Sequence, residues 1–351
     1  MTKVYEYPET RCIPEHTQER IKRERCCLPD PLLHVKDLSV RYLPESGGKV
    51  QALEGLNLEI LPGEVTGILG ESGSGKSTLA STLLRLLPAS AECSGCVVFE
   101  GEDLLTAAGS KLRRIRGSKI ALIPQDPAVS LNPVTRVGEQ ISEVLRAHLR
   151  LSRSERKQRV RQLLVEVGFE DVDRIVDAYL HQLSGGQRQR VVIAQAIACR
   201  PSLIIADEPT SKLHSELHCQ ILALLANTVA QHDTALLLIT HDPTILAGFA
   251  DRLMVMYAGR LIEQGPAESV MRRPLHPYTR ALIGLSHGHT SGNRASHLPS
   301  IPGEMPNPLH VMPGCRFEPR CSEKMGVCAT TDPQTFSPES SRLVSCLKYG
   351  N

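Results

Sequence analysis

Residues 65–78 read VTGILGESGSGKST, and this stretch decides the fold. VTGIL is short and almost wholly apolar, as a single buried strand requires. From Gly70 to Thr78 the chain matches GxxxxGK[ST], and the following TLASTLLRLL repeats apolar residues at helical spacing. Strand, glycine-rich loop and helix in that order make a phosphate cradle. Backbone N–H groups of such a loop point inward at phosphate oxygens, and the helix N-terminus adds a favourable dipole. Lys76 would reach the β and γ phosphates of a nucleotide, and the Ser77 hydroxyl would ligate Mg²⁺. Gly70, Glu71, Ser72, Gly73, Ser74, Gly75, Lys76, Ser77 and Thr78 are the candidate nucleotide-binding residues of this loop.

Working outward, LLHVKDLSVRY (32–42) and VQALEGLNLEI (50–60) alternate apolar and polar residues around the Glu45-Ser46-Gly47-Gly48 turn, which predicts antiparallel strands. The stretch from Val134 to Tyr179 is richer in helix formers and predicts a helical subdomain at about 128–182. Strand-like runs then return as SLIIAD, TALLLIT and RLMVMYAG with helical segments between them. A mostly parallel sheet covered by helices follows, so the fold class is α/β. Residues 1–31 form a polar arm too poor in apolar side chains to fold alone. The main domain spans 32–285, and a Gly-, His-, Ser- and Asn-rich linker spans 286–300. Residues 301–351, with Pro, Cys and little periodicity, are expected to form a small separate unit.

LIIADE ends at Asp207 and Glu208, a buried apolar strand delivering two carboxylates at its tip. Such a strand does not tolerate two charges there without a use for them. Asp207 would hold the Mg²⁺ shell, and Glu208 would polarise the attacking water. Leu183-Ser184-Gly185-Gly186-Gln187 then opens the helical run QRQRVVIAQAIA. Ser and two glycines at a helix start leave free N–H donors, a second anion-binding site.

On these motifs, from about Leu32 to Tyr278, the chain resembles the ATP-binding subunits of ABC transporters, in which LSGGQ is the signature. The resemblance implies a P-loop NTPase ABC cassette: a mixed sheet with helices, an antiparallel β subdomain and a helical subdomain. Here a small Cys-containing C-terminal extension is added. Tyr42 stands where that family stacks an aromatic ring on adenine. Gln125 matches the glutamine that joins the Mg²⁺ and water shell, and His241 matches the histidine that contacts the γ-phosphate. The signature residues Ser184, Gly185, Gly186 and Gln187 of one subunit would cover the ATP held by the phosphate loop of another. Hydrolysis would then need a head-to-tail dimer with a second ATPase subunit, a copy of this chain or a homologue.

QDPAVSLNP, HQLSGGQRQR, MYAGRLIEQGP and RRPLHPYTRAL, together with the tail IPGEMPNPLHVMPGCRFEPRCSEKMGVC, look like the peptide and nickel uptake branch of that family. That likeness implies ATP hydrolysis coupled to import of di- or oligopeptides, nickel or a related solute. Two permease subunits and an extracytoplasmic solute-binding protein would complete the machine. One segment departs from the family pattern: after Asp207-Glu208-Pro209-Thr210 the usual S/T-A-L-D is replaced by Ser211-Lys212-Leu213-His214. Tolerated drift and a weakened composite site in an asymmetric heterodimer both remain open on this evidence. A soluble DNA-repair ATPase is disfavoured, because the roughly hundred residues between Lys76 and Ser184 carry no heptad run.

Cys315, Cys321, Cys328 and Cys346 fall in the tail at C-x5-C-x6-C-x17-C spacing. Four thiolates could bind an Fe–S cluster or tetrahedral Zn²⁺, and either would fold a segment too small for its own core. The spacing lacks the C-x2-C pairs of common zinc ribbons and so favours Fe–S; free thiols in a loop-rich cap are the alternative. Cys93 and Cys96 do form C-x2-C, but the matching second pair is missing, so a turn between strands is expected.

Forty basic against 38 acidic residues give a net charge of +2, too balanced for broad binding to nucleic acid or anionic lipid. No apolar run approaches the roughly 20 residues needed to span a bilayer. The first thirty residues lack the apolar core of a secretory signal, and an odd eleven cysteines does not suit a disulfide framework. These features predict a cytosolic chain with reduced thiols, and the resemblance to ABC ATP-binding subunits implies a peripheral position on the cytoplasmic face of the cell (inner) membrane.

Overall fold

The computed structural model describes residues 30–44, 47–211, 215–287, 300–309 and 312–350. The expected polar arm lies outside them apart from its last two residues. Most of the expected linker, and the Lys212-Leu213-His214 departure, also lie outside.

Strands β1 (Leu33–Tyr42), β2 (Val50–Ile60), β4 (Ala91–Phe99) and β5 (Glu102–Asp103) form an antiparallel sheet in the order β2-β1-β4-β5. Its alternation has a direct cause: Leu33, Val35, Leu38 and Val40 face the core while the polar residues between them are largely exposed. Cys93 and Cys96, expected in a turn, lie inside β4, where they pair with Val40 and Lys36 of β1. Gly95 between them is left-handed, so the turn-like composition marks a break in the pairing register and not a chain reversal.

Among the described residues the second sheet has eight strands, in the order β11 (Phe336–Glu339), β12 (Arg342–Val344), β10 (Arg260–Pro266), β9 (Arg252–Tyr257), β3 (Val65–Leu69), β8 (Ala235–Thr240), β7 (Leu203–Asp207) and β6 (Ile120–Ile123). β6 (Ile120–Ile123), β7 (Leu203–Asp207), β8 (Ala235–Thr240), β3 (Val65–Leu69) and β9 (Arg252–Tyr257) run parallel. Every residue of β3, β7 and β8 is buried, which is why these segments read as unbroken apolar runs. Alternate residues feed two cores: Ile204 and Ala206 enter one, Leu203 and Ile205 the other. Helices Val137–His148, Arg153–Glu166 and Val172–Asp177 pack on one another and lie within the expected helical subdomain. A Ser152–Glu155 capping box starts the second of them.

The tail differs from the expected separate unit. β12 (Arg342–Val344) pairs antiparallel with β10 (Arg260–Pro266), which itself pairs with β9, and β11 (Phe336–Glu339) pairs with β12. The extension therefore prolongs the main sheet. Phe317 packs edge-on against Tyr257 and Tyr278, at 5.3 and 5.4 Å between ring centres, inside the cassette's own core. With few apolar residues of its own, the tail gains its stability from that core and from buried ion pairs. In one of these, Arg342 meets Glu263 at 2.5 Å, both side chains almost fully buried. Gly265 leaves room for it, since a Cβ there would sit 2.8 Å from Arg342 Cγ.

Cys93, Cys96, Cys199, Cys315, Cys321, Cys328 and Cys346 are free thiols. Among the described residues no helix is long and apolar enough to cross a membrane.

Candidate functional site

The parallel strands deliver the candidate residues to one edge of the sheet. β6, β7, β8 and β3 are neighbours, and Gln125, Glu208, His241 and the phosphate loop each follow the C-terminal end of one of them. Parallel α/β sheets place ligands at that edge. A cavity of about 810 Å³ opens there, bordered by Tyr42, the loop from Glu71 to Thr78, Gln125, Glu208 and His241.

The loop is shaped by its glycines. Gly75 caps the helix Lys76–Leu83 at φ 104°, and a Cβ on it would lie 2.8 Å from the Ala52 carbonyl oxygen. Lys76 is buried, and its Nζ donates to the backbone oxygens of Gly70 (2.7 Å) and Glu71 (2.9 Å). Burial lowers its pKa, against the opposing pull of Glu208, Asp207 and Glu71. The ammonium thus rests on the loop's own carbonyls, with carboxylates beyond it. Tyr42, at the end of β1, reaches Thr78 Oγ1 at 3.4 Å and borders the cavity.

Glu208 lies at the centre of the polar groups. Gln125 Nε2 donates to its Oε2 at 2.9 Å, and His241 Nδ1 lies 3.0 Å from its Oε1. Its backbone is left-handed, at φ 47°, and is held there by an N–H bond to the Ile239 carbonyl. A non-glycine residue kept in that conformation is strain sustained by its surroundings, which aims the carboxylate into the cavity. Next to it, Asp207 is buried and its pKa is raised by desolvation, opposed chiefly by a hydrogen bond from Ser77. One of its oxygens, Oδ1, is buried with no hydrogen-bond partner. An orphaned carboxylate oxygen beside a hydroxyl and a phosphate loop suits a hard cation such as Mg²⁺.

Ser184, Gly185, Gly186 and Gln187 do not border this cavity. They open the helix Gly185–Ile197, where Ser184 and Gln187 cap each other and Gly186 packs against Leu217. The two candidate anion-binding features of the chain are therefore held apart.

The tail contributes to the cavity in a way the sequence did not announce. Met305, Pro306, Asn307, Pro308, Met312 and Arg316 form one wall, and the Gln51 N–H donates to the Pro308 carbonyl at 3.3 Å. The available signal was the pair of arginines inside the short CRFEPRC run, two cations with a single acidic residue, Glu318, within that run. Cys315, Cys321, Cys328 and Cys346 converge on a second, much smaller cavity. Burial pushes the Cys315 thiol up to about 11, with the neighbouring cysteines adding to it. Among the described residues no group of three or more His, Cys, Asp or Glu stands close enough to hold an ion.

Residues 53–211 match the family described as ABC transporter, and residues 262–328 match the C-terminal region of oligopeptide/dipeptide transporters. The chain is 41% identical to the oligopeptide transport ATP-binding protein OppD of Escherichia coli (strain K12), over 91% of this chain and 94% of that protein. It is 43% identical to OppD of Haemophilus influenzae, over 83% and 90%. Among solved structures it resembles a dimeric post-hydrolysis state of the ATP-binding cassette MJ0796 bound to ADP and Pi. The TM-score is 0.60 and the identity 29%, covering 67% of this chain and 98% of that one. It also resembles cbiO1 of Clostridium perfringens, part of the ABC transporter complex cbiONQ, with a TM-score of 0.58, 33% identity, and 69% and 91% coverage. The chain belongs to the ATP-binding subunits of ABC transporters, and its C-terminal extension is that of the oligopeptide/dipeptide branch.

Proposed function

We propose that this ATPase subunit works at the cytoplasmic face of a membrane and energises uptake of di- and oligopeptides, in preference to nickel or a related solute. Two permease subunits would carry the solute and an extracytoplasmic binding protein would deliver it. The observation that carries this reading is the pairing of a complete nucleotide cassette with the oligopeptide-type tail, in a chain whose relatives are named as oligopeptide transport ATP-binding proteins.

In the proposed reaction, ATP lies in the cavity with adenine against Tyr42 and its phosphates along the Gly70–Thr78 loop. Lys76 leaves the Gly70 and Glu71 carbonyls for the β and γ phosphates. Ser77, Gln125 and Asp207 would hold Mg²⁺, which neutralises charge on the phosphates when bound. Glu208 accepts a proton from the attacking water, and its contacts to Gln125 and His241 fix its orientation. His241 stabilises charge on the γ-phosphate. The separation of Ser184–Gln187 from the cavity supports a second subunit supplying that helix N-terminus in trans. Purification of the tagged full chain from native membranes should bring two permeases and an ATPase partner with it. Recovery of the chain without any permease would contradict the proposal.

The four tail cysteines are proposed to hold an Fe–S cluster, or failing that Zn²⁺. An all-sulfur donor set lining one small cavity is the chemistry either group takes, and the four sulfurs would have to close in from the spacing they have here to hold it. Anaerobically purified protein should contain iron and inorganic sulfide with thiolate-to-iron absorbance. A folded tail free of iron and zinc would rule the site out.

A further inference from the structure

The phosphate loop carries a carboxylate, Glu71, at its second position, on the border of the nucleotide cavity. A negative side chain there opposes the binding of a triphosphate. The structure answers it with a residue far along the chain. Arg320 Nη1 donates to Glu71 Oε2 at 2.8 Å and Nη2 donates to Oε1 at 3.0 Å, a bidentate pair across 249 positions. Arg320 itself is buried, and among the described residues Glu71 is its only carboxylate partner.

Both partners are fixed by other contacts. Arg320 Nε donates to the Pro302 carbonyl at 2.8 Å, and the guanidinium stacks 5.8 Å from the centre of the Tyr257 ring. The Glu71 N–H donates to the Tyr278 hydroxyl at 2.9 Å, while its carbonyl accepts from Lys76. The arginine that would be expensive to bury alone is thus compensated inside the loop that must receive phosphate. Arg316, four residues earlier, anchors the same tail segment to Glu54 and to the Ala258 carbonyl.

We propose that Arg320 is a positioning residue of the ATP site: it neutralises the Glu71 carboxylate and holds it away from the phosphates, so the C-terminal extension is part of the nucleotide site. This rests on the reading of the loop as an ATP site. With Arg320 removed, Glu71 becomes a bare anion beside the triphosphate, and ATP affinity falls. Removing the Glu71 charge as well restores it. A brace that acts only through packing would show the opposite pattern, with the double variant no better than the single one.

The test uses the full chain, MgATP binding by calorimetry, and hydrolysis at saturating ATP. Arg320→Met should raise the Kd for MgATP about tenfold, within the range that misplacement in a site produces, and should change the saturated rate far less. The defect should shrink as ionic strength rises. Arg320→Met combined with Glu71→Gln should return Kd to within about threefold of the unsubstituted protein. Should Arg320→Met fail to fold, Arg320→Gln takes its place; Arg320→Lys, which keeps the charge but loses the fork and the stacking, should raise Kd by less than either neutral variant. A Kd for Arg320→Met within twofold of the unsubstituted chain, or a double variant as defective as the single one, would overturn the proposal, as would a loss in Arg320→Lys as large as that in the neutral variant. Absence of MgATP binding to the unsubstituted chain would instead refute the reading of the ATP site itself.

Discussion

Replacing Glu208 by Gln is expected to lower ATP turnover about 10²–10⁴-fold while leaving ATP binding intact, the range associated with losing a positioned general base. The substitution is nearly isosteric and keeps an oxygen that can accept from Gln125, so the left-handed backbone at this position need not change. What disappears is the basic carboxylate that would take the water's proton. ATP that binds but is not split should hold the two subunits together, because the nucleotide is then part of their interface. Size-exclusion chromatography with MgATP should therefore show a persistent dimer for the Gln variant, and phosphate release should show the lost rate. Turnover near that of the unsubstituted protein would remove Glu208 from the role assigned to it.

The second large effect is on stability. Arg342→Met should destabilise the protein by about 3–5 kcal/mol, the cost of breaking a buried ion pair from one side. Glu263 would keep its two backbone donors, the N–H groups of Leu275 and His276, each at 2.9 Å, but lose its buried counter-charge. Arg342 also donates to the Arg273 carbonyl at 2.8 Å, so a third segment loosens with it. Since β12 is joined to the sheet through β10, the extension should become the first part to yield to limited proteolysis. Adding Glu263→Gln should recover a substantial part of the loss in denaturant unfolding, because the unpaired charge is gone. A single variant as stable as the unsubstituted protein would show that the tail is held by its aromatic contacts alone.

The cassette was legible in the sequence because its decisive features are local. VTGILG leads into the phosphate loop within one strand-to-helix connection, and LIIADE announces both its burial and its carboxylates within six residues. Strands β7 and β8, buried throughout, could not have been written in any but apolar letters. The tail was not legible for the converse reason. β11 and β12 have four and three residues, too few to show a period of two. The partner that joins β12 to the sheet, β10, lies about eighty positions upstream, and the Arg320–Glu71 contact spans 249 positions. Poor apolar content suggested a separate unit, whereas the physical consequence is dependence on the neighbouring core.

In the proposed function, ATP splitting at the Glu208 site drives solute import through partner subunits. Its most direct test is uptake of a labelled oligopeptide into proteoliposomes holding the full complex, with MgATP on the side of this subunit and binding protein on the other. ATP-dependent accumulation is expected with the unsubstituted chain and none with Glu208→Gln. Equal accumulation with both chains would contradict it.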